Sequence, residues 1–380
     1  MEQASFKPRT PIIAVTANAL KGVHSRYILG MSHFFHRLGL AAPLIQAPMA
    51  GAQDHRLAAA VCHSGGLGSL PAAMLSPPAL HAELQALQAA TSAPFNINFF
   101  CHVSPTPDTE RQARWHQALA PYYREAGLDS DNIPSDPGRL PFNHDSADVL
   151  EVFRPAVVSF HFGLPAPDLL ARVKSWGSQV LSSATTVQEA LWLEAQGADA
   201  VIAQGLEAGG HRGMFLTDDL STQLGTFALL PQIVQAVNVP VIAAGGIATA
   251  GGVAAARALG AAGVQIGTAY LCSHEATTSA LHRAALQSPA AQHTALTRLF
   301  SGRPARGIVN RLMRELGPLG EQAPVFPLAT AGIAPLRAAA EARGSSDFTP
   351  LWSGQNATGA RSLSAAEITQ DFVKAWLKVA

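Results

Sequence analysis

Eight short apolar runs, each followed by a helix-like segment, limit the folds open to this chain. The runs lie at 44–47, 67–70, 95–100, 156–160, 179–183, 200–203, 239–244 and 263–266. They are nearly continuous in apolar character, as parallel strands buried on both faces are. The intervening segments carry helix punctuation. Ser76-Pro77 reads as an N-cap and first helical residue, Thr186 with Glu189 as a capping box, and Gly177, Gly197 and Gly260 as stops. Eight such units predict a closed (β/α)₈ barrel. A doubly wound open sheet is the alternative, and no G-x-G-x-x-G follows the first run to favour it.

At 380 residues and 48% hydrophobic composition the chain can bury a large core. A barrel absorbs about 250 residues as one domain. Residues 35–275 are expected to form it, with a proline-bearing insertion at 104–145 lying over one end. Residues 276–346 break the alternation and read as a smaller, mostly helical subdomain near the C-terminus. Residues 347–380 read as a loop and a helix returning to the barrel, begun by Ser364 and Glu367. Residues 1–34 read as a surface extension. The run at 11–20 weakly imitates a signal peptide, but Pro11, Thr16 and Asn18 interrupt it.

Lys and Arg together number 26 and so do Asp and Glu, so no basic field invites nucleic acid. The three cysteines are too few and too scattered for a disulfide framework or a metal cluster. No H-x-x-x-H, C-x-x-C or carboxylate pair suggests a metal, and no apolar run is long enough to span a bilayer. A reducing, cytoplasmic setting is expected.

In such barrels the site lies at the C-terminal strand ends. Gly245-Gly246 and Gly267-Thr268 follow the seventh and eighth runs, where barrels often bind phosphate through backbone N–H groups. Taken singly, each pair is an ordinary tight turn. The phosphate could belong to a sugar phosphate, a nucleotide or a flavin. Ala47-Pro48-Met49 offers apolar cover, and Asn98, Gln204 and Gln265 offer amides, a mixture that suits a flavin ring. The only lysine between 44 and 275 is Lys174, on a helix, which disfavours Schiff-base chemistry. The loop 203–213 packs four glycines with Glu207, His211 and Arg212. His161 ends the fourth run between Phe160 and Phe162. It is either a packed core histidine or, being at the site end, a catalytic one.

The segments IQAPMAG (45–51), FNINFF (95–100), VSFHFG (158–163), AQGLEAGGHRG (203–213), AAGGI (243–247) and QIGT (265–268) resemble the class I nitronate monooxygenases. FSGRPARGIVNR (300–311) and LWSGQNA (351–357) are similar to that family too, so the resemblance spans about 35–380. It implies an FMN-bound barrel that oxidises alkyl nitronates with O₂ to carbonyl compounds and nitrite, acting as a monomer or homodimer. Ala47, Pro48 and Met49 would line the isoalloxazine, and Asn98 and Gln204 would bond it. Gly209, Gly245, Gly246, Gln265, Ile266, Gly267 and Thr268 would hold the ribityl chain and phosphate. His161 would be the active-site histidine. The alternative enzyme is a reduced-nicotinamide-dependent FMN reductase of quinones or enoyl thioesters, which a similar barrel can host.

Overall fold

The structure is a computed structural model that describes residues 34–40, 42–135 and 138–378. The extension expected at 1–34 therefore lies outside the described residues except for Phe34.

Eight parallel strands form the barrel: β1 (Leu44–Gln46), β2 (Ser69–Pro71), β3 (Asn96–Phe100), β4 (Val157–His161), β5 (Gln179–Ala184), β6 (Ala200–Gln204), β8 (Val241–Ala244) and β9 (Gly263–Ile266). Neighbours run β1-β9-β8-β6-β5-β4-β3-β2. The ring closes where the Leu67 N–H donates to Leu44 O at 2.8 Å and the Gln46 N–H to Leu67 O at 3.0 Å. The ring so closed leaves no free strand edge, and side chains serve backbone groups at the seam, where Gln46 Oε1 accepts the Ser69 N–H at 3.0 Å. Ile45, Leu67, Val157, Leu181, Ile202 and Ile242 share one cluster with Phe34, Phe35 and Leu38. Phe35 packs under Gly263 at the start of β9, so these aromatics plug the N-terminal end and leave the other open.

Helices return the chain between strands, and their caps follow the sequence signals with one exception. Ser76 and Thr186 cap helices Pro77–Ala90 and Val187–Ala195. Ser364 and Glu367 exchange both bonds of a capping box. Glu189 does not close its box onto Thr186. Wholly buried, it accepts instead from the Thr185 N–H and hydroxyl, both at 2.7 Å, and from the Phe215 N–H at 2.6 Å. The loop after β6 takes the carboxylate that the helix end would otherwise use.

Over the open end lies a cap assembled from distant segments. Helix Thr109–Ala126 of the 104–145 stretch packs on helix Ala329–Ala342, and Trp115, Leu119, Tyr123, Ile333 and Leu336 share one core. The Tyr123 hydroxyl donates to Gly332 O at 2.8 Å. The 276–346 region contains strands as well as helices. Strands β10 (Thr294–Thr297) and β11 (Ala305–Ile308) pair antiparallel, and β11 also pairs β7 (Gly210–His211), lent by the loop after β6. Gly307 bridges to Trp352, so the segments 203–213, 300–311 and 351–357 meet in one place. Among the described residues no helix is long and apolar enough to cross a membrane, and no group of His, Cys, Asp and Glu could hold a metal ion.

Candidate active site

The open end of the barrel leads into a cavity of about 420 Å³. Ala47, Pro48, Met49, Asn98, His161, Gln204, Gly209, Gly245, Gly246, Gln265, Gly267 and Thr268 all line it. Ile266 does not. Strand alternation turns its side chain away from that of Gln265, into the core beneath the helices. Its backbone still serves the site, because Ile266 O accepts the Ala47 N–H at 2.8 Å.

Buried amides shape the floor. Gln53 Oε1 accepts the Met49 N–H at 2.9 Å and a bond from Gln46 Nε2 at 2.7 Å, while Gln53 Nε2 donates to Ser69 O at 2.6 Å. This pair pins Ala47–Met49 across the closing seam. Asn98 Nδ2 donates to Ser159 Oγ at 3.0 Å. Gln204 donates to His211 O at 2.9 Å and accepts the Gly213 N–H at 2.7 Å, so it braces its own loop. Gln265 Oε1 is buried with no partner, an acceptor awaiting a donor.

The glycines are required by space as much as by conformation. Gly245 has φ +114°, and a Cβ there would stand 2.9 Å from Thr226 Oγ1 and 3.1 Å from Ala208 N. Gly246 follows at φ +72°. Glu207 ties the β6 loop to the next helix by accepting from the Thr226 N–H and hydroxyl at 2.8 and 2.9 Å. The segment 351–357 completes the wall: the Gly354 N–H donates to Thr268 Oγ1 at 2.9 Å, and Asn356 Nδ2 donates to Gly246 O at 3.2 Å.

Both nitrogens of His161 are engaged. Nε2 lies 3.1 Å from His211 O, which can only accept, so Nε2 carries the proton. Nδ1 then accepts from the Ser183 hydroxyl at 3.0 Å. Burial, offset in part by the His211 carbonyl, pushes the ring down to about 4, and the Arg303 and Arg212 charges act in the same direction. The imidazole is thus neutral at neutral pH. His211 is pushed well below its ordinary value, chiefly by burial and then by Arg139. Its Nε2 lies 2.8 Å from Ser301 Oγ.

Four arginines gather around this site, with Glu189, Glu207 and Asp218 near enough to act on three of them. Arg139 lines the cavity. Arg303 lies 4.1 Å over the Phe162 ring and bonds Met214 O. Arg306 donates to Leu206 O at 2.9 Å. Arg212, fully buried, donates to Gly205 O and Gln204 O at 2.7 Å and to Gln223 Oε1 at 3.0 Å. None of the four makes an ion pair among the described residues. A low-dielectric cleft with unpaired cations favours an anionic ligand. Phe162 itself sits at φ +70°, a strained conformation for a bulky residue, amid Phe100, Phe326 and His161.

The buried histidines make the fold acid-sensitive. The unfolded chain takes up protons near pH 6.5, whereas folded His161 and His282 do so only near 4. The contribution is complete above pH 6.5 and is lost as pH falls toward 4. Each histidine accounts for about 1.4 kcal/mol per pH unit at most. Urea midpoints are expected to fall between pH 6.5 and 5, above the carboxylate range. A flat profile there would contradict the buried, neutral state.

Ser183, Arg139, Trp352, Gly354 and Asn356 were not singled out from sequence, although each lines the cavity. The segments containing Trp352 to Asn356 and Arg303 carried the only advance signal, through their family resemblance.

Comparison with known proteins places the chain among relatives. A family model described as nitronate monooxygenase matches residues 33–375. A nitronate monooxygenase of Paraburkholderia phytofirmans is 44% identical over 341 residues, covering 87% of this chain and 91% of the relative. One from Pseudomonas aeruginosa is 41% identical, covering 90% and 98%. Among solved structures, a nitroalkane oxidase from Streptomyces ansochromogenes superposes with a TM-score of 0.82 at 38% identity, covering 89% of this chain and 96% of the other. FabK from Thermotoga maritima superposes at 0.65 and 27% identity, covering 90% and 94%.

Proposed function

The chain belongs to the nitronate monooxygenase family, and from that premise we propose that its barrel holds FMN and oxidises small alkyl nitronates with O₂ to carbonyl compounds and nitrite. One observation carries this reading: the polar residues at the strand ends share one cavity with Arg139 and a neutral His161.

The residues present fit the cofactor. Gln265 Oε1 needs a donor, and Gly245 and Gly246 line the cavity with backbone at positive φ. Ala47, Pro48 and Met49 would cover the isoalloxazine, with Asn98 and Gln204 at its polar edge. Gly209, Gly245, Gly246, Gln265, Gly267 and Thr268, with the Ile266 backbone, would hold the ribityl chain and phosphate. Bound FMN supplies the electron transfer between nitronate and O₂.

The chain's own groups bind and orient. The arginines favour the anion, and Phe100, Phe162 and Phe326 keep a dry wall beside His161. His161 holds the loop through His211 O and is itself fixed by Ser183. Neutral, with Nδ1 bonded to Ser183 and a lowered proton affinity, it would be a weak base toward a neutral nitroalkane, and a nitronate does not ask for one.

Mixing the purified protein with ethylnitronate in air is expected to release nitrite and acetaldehyde. No nitrite from FMN-loaded protein would sink the reading, and rapid bleaching by NADH without air would favour the reductase instead. Gly245→Ala is expected to be purified colourless, with FMN bound at least tenfold more weakly, since strain at such a φ costs about 1–3 kcal/mol. An equally yellow variant would remove this loop from the cofactor site.

A further inference from the structure

The cavity wall also carries a polar patch, a second lobe bordered by Thr278, His282, Arg337 and Thr349. Thr278 is 6% exposed, and its hydroxyl has no hydrogen-bond partner. Thr278 lines the cavity, so a group bound there is the partner its hydroxyl lacks. His282, on helix Ala280–Leu286, is 8% exposed. Its Nε2 lies 3.0 Å from Trp352 O, which fixes the proton there and leaves Nδ1 as an acceptor. Burial keeps the ring neutral, at about 4. Arg337 Nε donates to Glu341 Oε1 at 2.7 Å, and Glu341 also accepts from the Thr349 hydroxyl at 2.9 Å. Charge is therefore balanced in this lobe, unlike the arginine-rich wall around His161. The lobe offers one hydroxyl, one open imidazole acceptor and the outer N–H groups of a neutralised guanidinium.

We propose that this lobe is a specificity subsite for a neutral group that both donates and accepts hydrogen bonds, a hydroxyl or carboxamide at the far end of the nitronate substrate. The group donates to His282 Nδ1 and accepts from Thr278 or Arg337. A carboxylate is the poorer match, because it would face the imidazole lone pair and the Glu341 charge. The proposal rests on the nitronate reading and adds a substrate class to it.

The test is calorimetric titration of the FMN-loaded protein without oxygen. The probes are ω-hydroxyalkyl nitronates of three to six carbons, their unsubstituted counterparts and their ω-carboxylates. At one chain length the hydroxyl is expected to tighten binding by about five- to tenfold, the worth of a buried hydrogen bond pair. That advantage should fall below about twofold in Thr278→Val and His282→Phe and persist in Thr278→Ser, by the same hydrogen-bond reasoning. No hydroxyl advantage at any length, an advantage retained in both Val and Phe variants, or tighter binding of the carboxylates would overturn it. Nitrite release from ethylnitronate in air tests the parent reading separately. Nitrite without a hydroxyl advantage rejects the subsite alone, whereas a hydroxyl advantage without nitrite rejects the proposed reaction and leaves the subsite standing.

Discussion

Arg212→Met is expected to destabilise the protein by about 3–5 kcal/mol and to leave it without a retained flavin. The guanidinium is wholly buried and donates to Gly205 O, Gln204 O and Gln223 Oε1. Methionine fills similar space but takes the donor from Gln204 O and Gln223 Oε1, at about 1–3 kcal/mol each, while Gly205 O keeps the Ala208 N–H at 3.1 Å. Release of a buried cation offsets part of this. Burial lowers Arg212 only to about 9, so the native side chain stays charged at neutral pH. The loss reaches the cofactor because Gln204 and Gly205 begin the loop whose Gly209 lines the cavity. Gln223 continues the network to Thr185 at 2.9 Å, and Thr185 to Glu189. Urea denaturation and the flavin absorbance of the same preparation measure both effects. A variant that stays yellow and as stable as the parent would show that the loop does not depend on this cation.

At pH 7.5, ethylnitronate is expected to exceed neutral nitroethane in kcat/KM by about a hundredfold or more, the factor a positioned general base would otherwise supply. Nitroethane must lose a carbon-bound proton before it resembles the anion. His161 is the titratable group best placed for that step, yet its Nε2 proton is committed to His211 O and its Nδ1 to the Ser183 hydroxyl. Its low proton affinity weakens it further as a base. The arginine wall favours the anion in the same direction. Comparable rates on both substrates would mean that His161 swings free of these bonds during turnover. The acid limb of kcat/KM for the nitronate should correspondingly stay flat between pH 8 and 6.

The barrel was legible in the chain because its signals are local. Each strand is one apolar run, and each helix has its cap and stop within a few residues. The antiparallel sheet was not legible, since β7 has only two residues and its partner β11 lies about ninety positions on. The exchange of the Glu189 box for a loop contact was hidden for the same reason: Phe215 is distant in sequence. Strand alternation could have separated Ile266 from Gln265 in advance, because neighbouring side chains on a strand take opposite faces. The gathering of Arg139, Arg212, Arg303 and Arg306 near one site was masked by an overall balance of 26 against 26, because they come from three separate stretches of the chain. The position of His161 could be read from the end of its strand. Its tautomer could not, because that depends on a carbonyl fifty residues away.

The cap over the barrel has a consequence for the order in which the protein is made. Tyr123 and Gly332 are 209 positions apart, and the core that Trp115 and Leu119 share with Ile133 is completed by Leu299, Phe300, Leu312, Ile333 and Leu336, all made much later. At roughly 5–20 residues per second, synthesis separates the two halves by about 10–40 s. Throughout that interval the nascent chain carries an apolar stripe on the helix at 109–126 with only its near neighbours Leu128 and Ile133 to pack against. The barrel must close first and bring the late segment to it. The mouth of the site is therefore the last part to be sealed, and a chain stopped short of residue 342 would leave the ribosome with that stripe bare, a natural hold for a chaperone.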